Sequence, residues 1–146
     1  MYIFIVNPVS GNGRGKKVYE NLKKLKVYRN LNKEEYFTMY KGHAKKIAQN
    51  IIDKNLKIKS IIVIGGDGTL NEVVTGDIQR EHGLVLANLP MGTTNDVANM
   101  YGYTKDYQKN LEMLLQGVRK KVDVCYIDNT PFVYVACLGD YIDMAY

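Results

Sequence analysis

Short apolar runs alternate along the chain with longer segments in which apolar residues recur every three or four positions. The apolar runs are rich in β-branched residues, which suits strands covered on both faces. The longer segments have the spacing of helices that bury a single stripe. Six strands are predicted, at residues 2–6, 36–39, 60–64, 84–89, 122–127 and 132–137, with helical stripes at 18–25, 44–52 and 107–118.

The order of these elements predicts the class of fold. Because strands alternate with helices, an α/β fold is expected, with a mostly parallel sheet, right-handed crossovers and helices on both faces. In such a sheet the loops that follow the strands gather at one edge, where open α/β sheets bind their ligands.

Length and composition indicate one folded domain, since the 146 residues are 46% hydrophobic and 24% charged. No apolar run reaches the roughly 20 residues of a membrane span, and the first residues lack the features of a signal peptide. A cytoplasmic protein is therefore expected. Its two cysteines, Cys125 and Cys137, lie in apolar runs and are predicted to be reduced and buried.

The charge is distributed unevenly. Residues 1–60 contain 14 Lys or Arg and 4 acids, a net charge of +10, whereas residues 61–146 contain 6 and 11, a net charge of −5. A basic surface attracts lipid headgroups, nucleotide phosphates or nucleic acid, and charge alone does not distinguish them. For most of these lysines, solvated helix faces are a better explanation than any specific polyanion site.

The first of three glycine-containing loops has the sequence NPVSGNGRGK at residues 7–16 and follows a predicted strand. Its glycines permit positive φ and close backbone approach, so its amides could point at phosphate oxygens near a helix start. Ser10 and Gly11 are the candidate contacts. The spacing matches neither the Walker A loop nor GxGxxG, so an ordinary strand-to-helix turn remains an alternative.

The second loop, GGDGTLNE at residues 65–72, follows the run IIVI. Glycines on both sides of Asp67 leave room for a ligand, and Thr69 can offer a hydroxyl and an amide at the start of the next helix. A carboxylate beside a polyphosphate requires a divalent cation between them, so magnesium is expected here.

The third loop, PMGTTND at residues 90–96, also follows an apolar run. Gly92 and Thr93 are candidate phosphate contacts. Asp96 is either a metal ligand or an acid that stabilises a helix start. The hypothesis that unites the loops is that Ser10, Asp67 and Thr93 converge around one metal-bound polyphosphate.

The strings NPVSGNGRG, GGDGTLNEV and PMGTTNDVA, in this order, resemble the diacylglycerol kinase catalytic-domain family. GGDGT alone points to a superfamily shared with NAD kinases and phosphofructokinases, and its combination with GTTNDVA favours the lipid kinase branch. The resemblance implies a three-layer, Rossmann-like fold and transfer of the ATP γ-phosphoryl group to a lipid hydroxyl. It also implies ATP and Mg²⁺ as cofactors and a lipid substrate at a membrane surface.

The same resemblance assigns roles to individual residues. Asp67 is the one expected to matter most for catalysis, because the family's base belongs to a second domain that does not appear in this chain. Asp67, Asp96 and Asp123 would form a magnesium and water network. The residues that would contact ATP or order its loops are Asn7, Thr38, Gly66, Asp67, Gly68, Thr69, Glu72 and Thr93.

The resemblance also predicts a domain boundary. Residues 1–128 would form the ATP-binding domain and residues 129–146 the start of a truncated β-rich domain, so the chain is interpreted as a weakly active fragment, with a short natural protein as the alternative. Other acceptors stay open (a sphingoid base, phosphatidylglycerol or NAD), as does a non-catalytic nucleotide- or polyanion-binding module. No nucleic acid partner is expected, a homodimer is left open, and the inner face of the membrane is a second expected location.

Overall fold

The computed structural model describes residues 1–53, 57–78, 85–90, 103–104, 106–117 and 119–133. Its strands are β1 Tyr2–Val6, β2 Lys33–Phe37, β3 Ser60–Gly65, β4 Leu86–Pro90, β5 Cys125–Ile127 and β6 Thr130–Phe132. Its helices are α1 Arg14–Lys24, α2 Lys26–Arg29, α3 His43–Asp53, α4 Asp67–Ile78 and α5 Tyr107–Gln116.

The first four strands form one parallel sheet in the order β2-β1-β3-β4, which confirms the predicted α/β fold. The chain moves from β1 outward to β2 and then crosses over to β3 on the other side of β1. The direction of winding therefore reverses between β1 and β3. Ligand crevices in open α/β sheets lie at such reversals, beyond the carboxyl ends of the strands. We call this side of the sheet the carboxyl edge.

Two apolar layers cover the sheet because successive side chains of β1 and β3 point to opposite faces. One layer is formed by alternate residues of these strands with α3 and α4, and the other by the remaining residues with α1, α2 and α5, so helices cover both faces as predicted. The first layer contains Ile3, Ile5, Ile61, Val63, Ala48, Ile51 and Val73. The second contains Phe4, Val6, Ile62, Ile64, Val18, Leu22, Tyr28 and Leu111.

Helices α3 and α4 pack with their backbones close together at Gly76. A Cβ atom added there would lie 2.6 Å from the carbonyl oxygen of Lys45 and 2.8 Å from Cβ of Ala48. A side chain at this position would force the helices apart, since packed backbone cannot yield as a flexible side chain can.

Strand β2 begins three residues before the predicted run at 36–39, with Lys33 opposite Tyr2 of β1. Its sequence, KEEYF, begins with three charged residues and lacks the apolar run that predicts a buried strand. The carboxylate of Glu35 accepts hydrogen bonds from the hydroxyls of Tyr19, at 3.1 Å, and Tyr28. A charged residue is tolerated on this edge strand because the tyrosines of α1 and α2 satisfy it.

The last two described strands form a separate antiparallel hairpin, shorter than the predicted runs at 122–127 and 132–137. All three residues of β5 are exposed, so the prediction that Cys125 is buried was wrong: a two-stranded ribbon leaves this residue uncovered. Cys137 lies outside the described residues. The predicted domain boundary falls within the hairpin turn and remains a prediction.

Candidate functional site

The first and second loops meet at the reversal between β1 and β3. The amide of Asn7 donates to the carbonyl of Ile64 at 2.8 Å and continues the strand pairing by one residue. Its side-chain Nδ2 donates to Oγ1 of Thr69 at 2.9 Å. A single side chain thus connects the loop after β1 to the helix after β3, at the place where this fold class binds ligands.

The first loop is folded back on itself. Gly11, Asn12 and Gly13 have φ values of 60°, 58° and 84°, in the left-handed region that favours glycine and asparagine. The amides of residues 13–16 donate to the carbonyls of residues 8–11 at 3.0 to 3.3 Å. These are the amides at the start of α1 that were expected to face phosphate. They are bonded within the loop, so α1 does not offer them to an anion.

One polar group of this loop has no partner. The hydroxyl of Ser10 is buried, and its Oγ makes no hydrogen bond. Leaving a buried hydroxyl unpaired costs free energy unless a ligand group completes it. Ser10 therefore remains a candidate contact, as the sequence predicts, through its side chain and not through the helix start. Gly11, the other candidate, is half-buried beside it.

The second loop is open where the first is closed. Helix α4 starts at Asp67, which is half-buried in its first turn, and the amide of Leu70 donates to the carbonyl of Gly66 at 3.1 Å. The amides of Gly68 and Thr69 have no acceptor among the described residues. Unpaired amides and the positive end of the helix dipole make this start of α4 a place that can accept an anion.

Gly65 must be glycine because Thr69 packs against it. An added Cβ would lie 2.8 Å from Cβ of Thr69 and 2.9 Å from its hydroxyl. Thr69 is itself buried, and its hydroxyl accepts the bond from Asn7. The glycine before the aspartate loop is therefore required by the position of Thr69.

Glu72 organises the corner between β2 and α3. Its two carboxylate oxygens accept from the amides of Gly42, at 2.8 Å, and Ala44, at 3.2 Å. Gly42 has a φ of 86°, which favours glycine in this turn. The amide of Thr38, just before this corner, donates to the carbonyl of Val6 at 2.8 Å and fixes the end of β2 beside β1. Glu72 thus orders a neighbouring loop through charge-assisted bonds.

The remaining predicted residues are only partly within the described structure. Strand β4 ends with Pro90 opposite Gly65, so the third loop starts beside the second. Gly92, Thr93 and Asp96 lie outside the described residues. Asp123 is exposed before β5. Within the described ranges, no three His, Cys, Asp or Glu side chains are grouped as they would be around a metal ion. The three-aspartate metal set therefore stays a prediction.

One buried polar residue of the sheet was not among the predicted site residues. Asn88 lies in β4 opposite Val63 and is buried, and neither polar atom of its amide has a partner. The available signal was a single amide in an otherwise apolar strand. The Asn7 to Thr69 bond was missed as well, because it joins residues 62 positions apart.

The fold and the loops together define an open α/β domain whose first two loops meet, through polar side chains, at the carboxyl edge of the sheet. The chain belongs to the family of the diacylglycerol kinase catalytic domain, whose model matches residues 1–127. This confirms the resemblance stated above and places the chain in a family of lipid kinases.

Two relatives illustrate the match. The chain is 32% identical over 111 residues to a diacylglycerol kinase of Staphylococcus aureus (strain Newman), a match that covers 76% of this chain and 35% of that protein. It superimposes with a TM-score of 0.76 and 27% identity on a crystal structure of a diacylglycerol kinase from Bacillus anthracis str. Sterne, covering 90% of this chain and 45% of that one. The chain thus spans about a third to a half of the proteins it matches. None of the helices in the described ranges has the length and apolar character needed to cross a bilayer.

Proposed function

We propose that this chain is the ATP-binding part of a lipid kinase that transfers the γ-phosphoryl group of ATP to a hydroxyl of a lipid such as diacylglycerol. The observation that carries the proposal is the open start of α4, where the amides of Gly68 and Thr69 have no acceptor among the described residues. This helix start lies at the reversal of the sheet, beside the loop that follows β1. Family membership supports the same assignment.

The chain's own groups would act mainly by positioning. The amides of Gly68 and Thr69 would donate to phosphate oxygens, and the hydroxyl of Ser10 would supply a further donor. Asn7 would hold Thr69 and keep the two loops at a fixed separation. Phosphoryl transfer depends on alignment and on neutralising the charge of the phosphates, so fixed donors of this kind suit the reaction.

The donor set also suits magnesium. In phosphate sites Mg²⁺ is usually held by one or two carboxylates together with the phosphates, so a cage of three acids is not required. Asp67 is the carboxylate best placed for this role, since it is in the first turn of α4. Bound Mg²⁺ would neutralise the phosphate charge that Asp67 would otherwise repel. Asp96 and Asp123 remain proposed members of the same network.

The acceptor is expected to meet parts of the enzyme outside this chain. The chain spans 35% of its S. aureus relative, and the family resemblance puts the base in a second domain. We therefore propose that this chain binds nucleotide but turns over little substrate alone. Diacylglycerol is the proposed acceptor, with a sphingoid base, phosphatidylglycerol and NAD as the competing outcomes of an acceptor assay.

Calorimetric titration with ATP, with and without Mg²⁺, tests the nucleotide site. Asp67→Asn should weaken Mg²⁺-dependent ATP binding by about tenfold or more, as expected when one charge-assisted interaction is lost. The matched control is Asp128→Asn, which makes the same change in the exposed hairpin turn and should bind as the unmodified chain does. A non-catalytic module would be favoured if ATP binding depended on neither Mg²⁺ nor Asp67. In that case any polyanion should bind, and salt should abolish the binding.

Phosphoryl transfer is tested in a protein that joins this domain to the second domain proposed to carry the base. Transfer of labelled phosphate to diacylglycerol in vesicles should require the Asp67 carboxylate. Equal and robust lipid phosphorylation by the Asp67→Ala variant would refute the role of this residue. Transfer only to a sphingoid base, phosphatidylglycerol or NAD would change the proposed acceptor and leave the proposed nucleotide site unaffected.

A further inference from the structure

The turn between β2 and α3 is anchored to the rest of the site at both of its ends. We call residues 38–42 the β2–α3 turn. At one end the amide of Thr38 donates to the carbonyl of Val6 at 2.8 Å. At the other end the amide of Gly42 donates to the carboxylate of Glu72 at 2.8 Å. The turn therefore connects two residues, Thr38 and Glu72, that the family resemblance assigns to the ATP site.

His43, the first residue of α3, holds the middle of this turn. Its Nδ1 accepts a hydrogen bond from the amide of Met39 at 3.0 Å. Its ring is stacked on that of Tyr40, with centroids 4.5 Å apart and the planes at 12°. Its own amide donates to the carbonyl of Tyr40 at 3.1 Å. The ring face and Nδ1 are thus both in contact with the turn, which fixes the orientation of the imidazole.

The bond to Met39 depends on the protonation of the imidazole. A ring nitrogen that accepts an N–H cannot itself carry a proton, so His43 must be neutral and protonated on Nε2. A proton on Nδ1 would convert the acceptor into a donor that faces another donor, and the amide of Met39 would lose its partner. Histidine is the side chain that ordinarily changes charge between about pH 5 and 8. The bond should therefore be present at the upper end of this range and be lost toward the lower end.

The charged groups around His43 do not offer its protonated form a substitute for this bond. The titratable groups of its own segment and of the helix packed beside it are Tyr40, Lys41, Lys45, Lys46 and Glu72. The lysines would repel a further cation. Both oxygens of Glu72 accept from the backbone amides on either side of His43, so this carboxylate could turn to the imidazole only by releasing an amide. Protonation should accordingly loosen the turn.

We propose that neutral His43 is a positioning residue of the nucleotide site, which it serves by holding the β2–α3 turn in place through the amide of Met39. This role rests on the proposed function and deepens it, because His43 would act on ATP binding without touching the nucleotide. ATP that requires the closed turn must re-form it wherever the bond is absent. Affinity should then fall by the worth of one neutral hydrogen bond, about fivefold.

The tautomer of His43 tests the bond without any nucleotide. The chain contains one other histidine, His82, so His82→Asn leaves a single imidazole to observe. NMR of its ring nitrogens should show the Nε2–H tautomer at about pH 8. Hydrogen exchange at the same pH gives a second readout. The amide of Met39 should exchange faster in His43→Phe than in the unmodified chain, whereas the amide of Gly42, which is bonded to Glu72, should change little.

Two substitutions separate the acceptor of His43 from its ring. His43→Asn keeps an acceptor oxygen near the position of Nδ1 and does not titrate, whereas His43→Phe keeps a ring that can stack on Tyr40 and has no acceptor. In calorimetric titrations with ATP and Mg²⁺ at about pH 8, the Asn variant should bind as the unmodified chain does and the Phe variant about fivefold more weakly. Thermal melts should confirm that each variant folds.

The pH profile of ATP binding distinguishes positioning from a merely structural role. Between about pH 8 and 5, the unmodified chain should lose about fivefold more affinity for ATP than the His43→Asn variant does. Protonation of ATP itself weakens binding to both proteins equally, so the difference between the two profiles belongs to His43.

Three results would overturn the proposal. These are an Nδ1–H tautomer at high pH, equal ATP affinities of the His43→Phe variant and the unmodified chain, and the same pH profile in the His43→Asn variant and the unmodified chain. If His43→Phe does not fold, the tautomer and the two pH profiles decide. Failure of the proposed function is distinguishable: an Nε2–H tautomer without any ATP binding refutes the nucleotide site, whereas ATP binding that is insensitive to His43 refutes only the positioning role.

Discussion

The loops after β1 and β3 follow neighbouring strands, contain several glycines and lead into helices whose second residue is glycine, yet they differ in what they do with their amides. In the first loop the amides of residues 13–16 are bonded to carbonyls of the same loop. In the second, the amides of Gly68 and Thr69 have no acceptor in the described structure. Glycine makes the first loop compact and leaves the second accessible. A glycine-rich helix start is therefore an anion site only where its amides remain unpaired.

Substituting Gly15 and Gly68, the second residues of α1 and α4, should give the largest difference in stability between the two loops. A Cβ at Gly15 would lie 2.0 Å from the carbonyl oxygen of Asn7, whereas one at Gly68 would meet nothing within 4 Å. Gly15→Ala should therefore destabilise the fold by about 3 kcal/mol, the upper range for overpacking. Gly68→Ala should be neutral or slightly stabilising, because alanine favours helix by roughly 0.5–1 kcal/mol. Urea denaturation of both variants measures the difference.

The second prediction concerns Glu72, which fixes the position of α4 relative to the start of α3. Glu72→Ala leaves the amides of Gly42 and Ala44 without their acceptor and should cost about 2 kcal/mol of unfolding free energy, as for other bonds to charged groups. Glu72→Gln keeps one acceptor oxygen and should lose less. Equal losses in the two variants would mean that packing of the side chain, and not its bonds, determines the effect. Thermal denaturation provides the measurement.

The third prediction tests the bond that joins the two loops. Asn7→Ala should destabilise the fold by about 1 kcal/mol, the typical net value for a neutral hydrogen bond. Thr69→Val removes the other partner at similar size. In a double-mutant cycle, the double variant should lose less stability than the sum of the two single losses, because the two side chains touch. Strictly additive losses would show that the loops are held together by backbone pairing alone.

The smallest effect on stability is expected at high pH and concerns Tyr19 of α1, the helix that follows the first loop. Burial, followed by the hydrogen bond to Glu35, raises the pKa of Tyr19 from 10.0 to about 12. In the unfolded chain the hydroxyl ionises first, so its stabilising effect is complete below pH 10 and is lost between pH 10 and about 12. Tyr19→Phe should make the fall in stability across this interval shallower, as followed by urea denaturation at several pH values.

Tyr28 should add to the same alkaline loss, because burial and its bond to Glu35 also raise the pKa of its hydroxyl. Tyr126→Phe, in the exposed hairpin, is the control and should leave the alkaline curve unchanged. A Tyr19→Phe curve parallel to that of the unmodified chain would exclude a role for this hydroxyl in the pH dependence.

The sequence predicts much of the fold because β1 and β3 are apolar on both faces and α3 and α5 have regular stripes. The prediction placed strand β2 too late in the chain, because β2 begins with polar residues and its Glu35 is satisfied by tyrosines of α1 and α2. The placement of the first two loops at one edge followed from the parallel sheet. Which of them is closed could not be predicted, because the answer depends on how near Gly15 comes to the carbonyl of Asn7 in three dimensions.

The close packing at Gly76 couples the movement of helices α3 and α4. With backbone against backbone there, and Glu72 bonded to the start of α3, helices α3 and α4 should shift only as a rigid pair. A displacement of the open start of α4 when an anion arrives would then be transmitted to the turn that carries Met39 and Tyr40. Hydrogen exchange at the first turns of both helices should accordingly slow together, even though only one of them faces the phosphate.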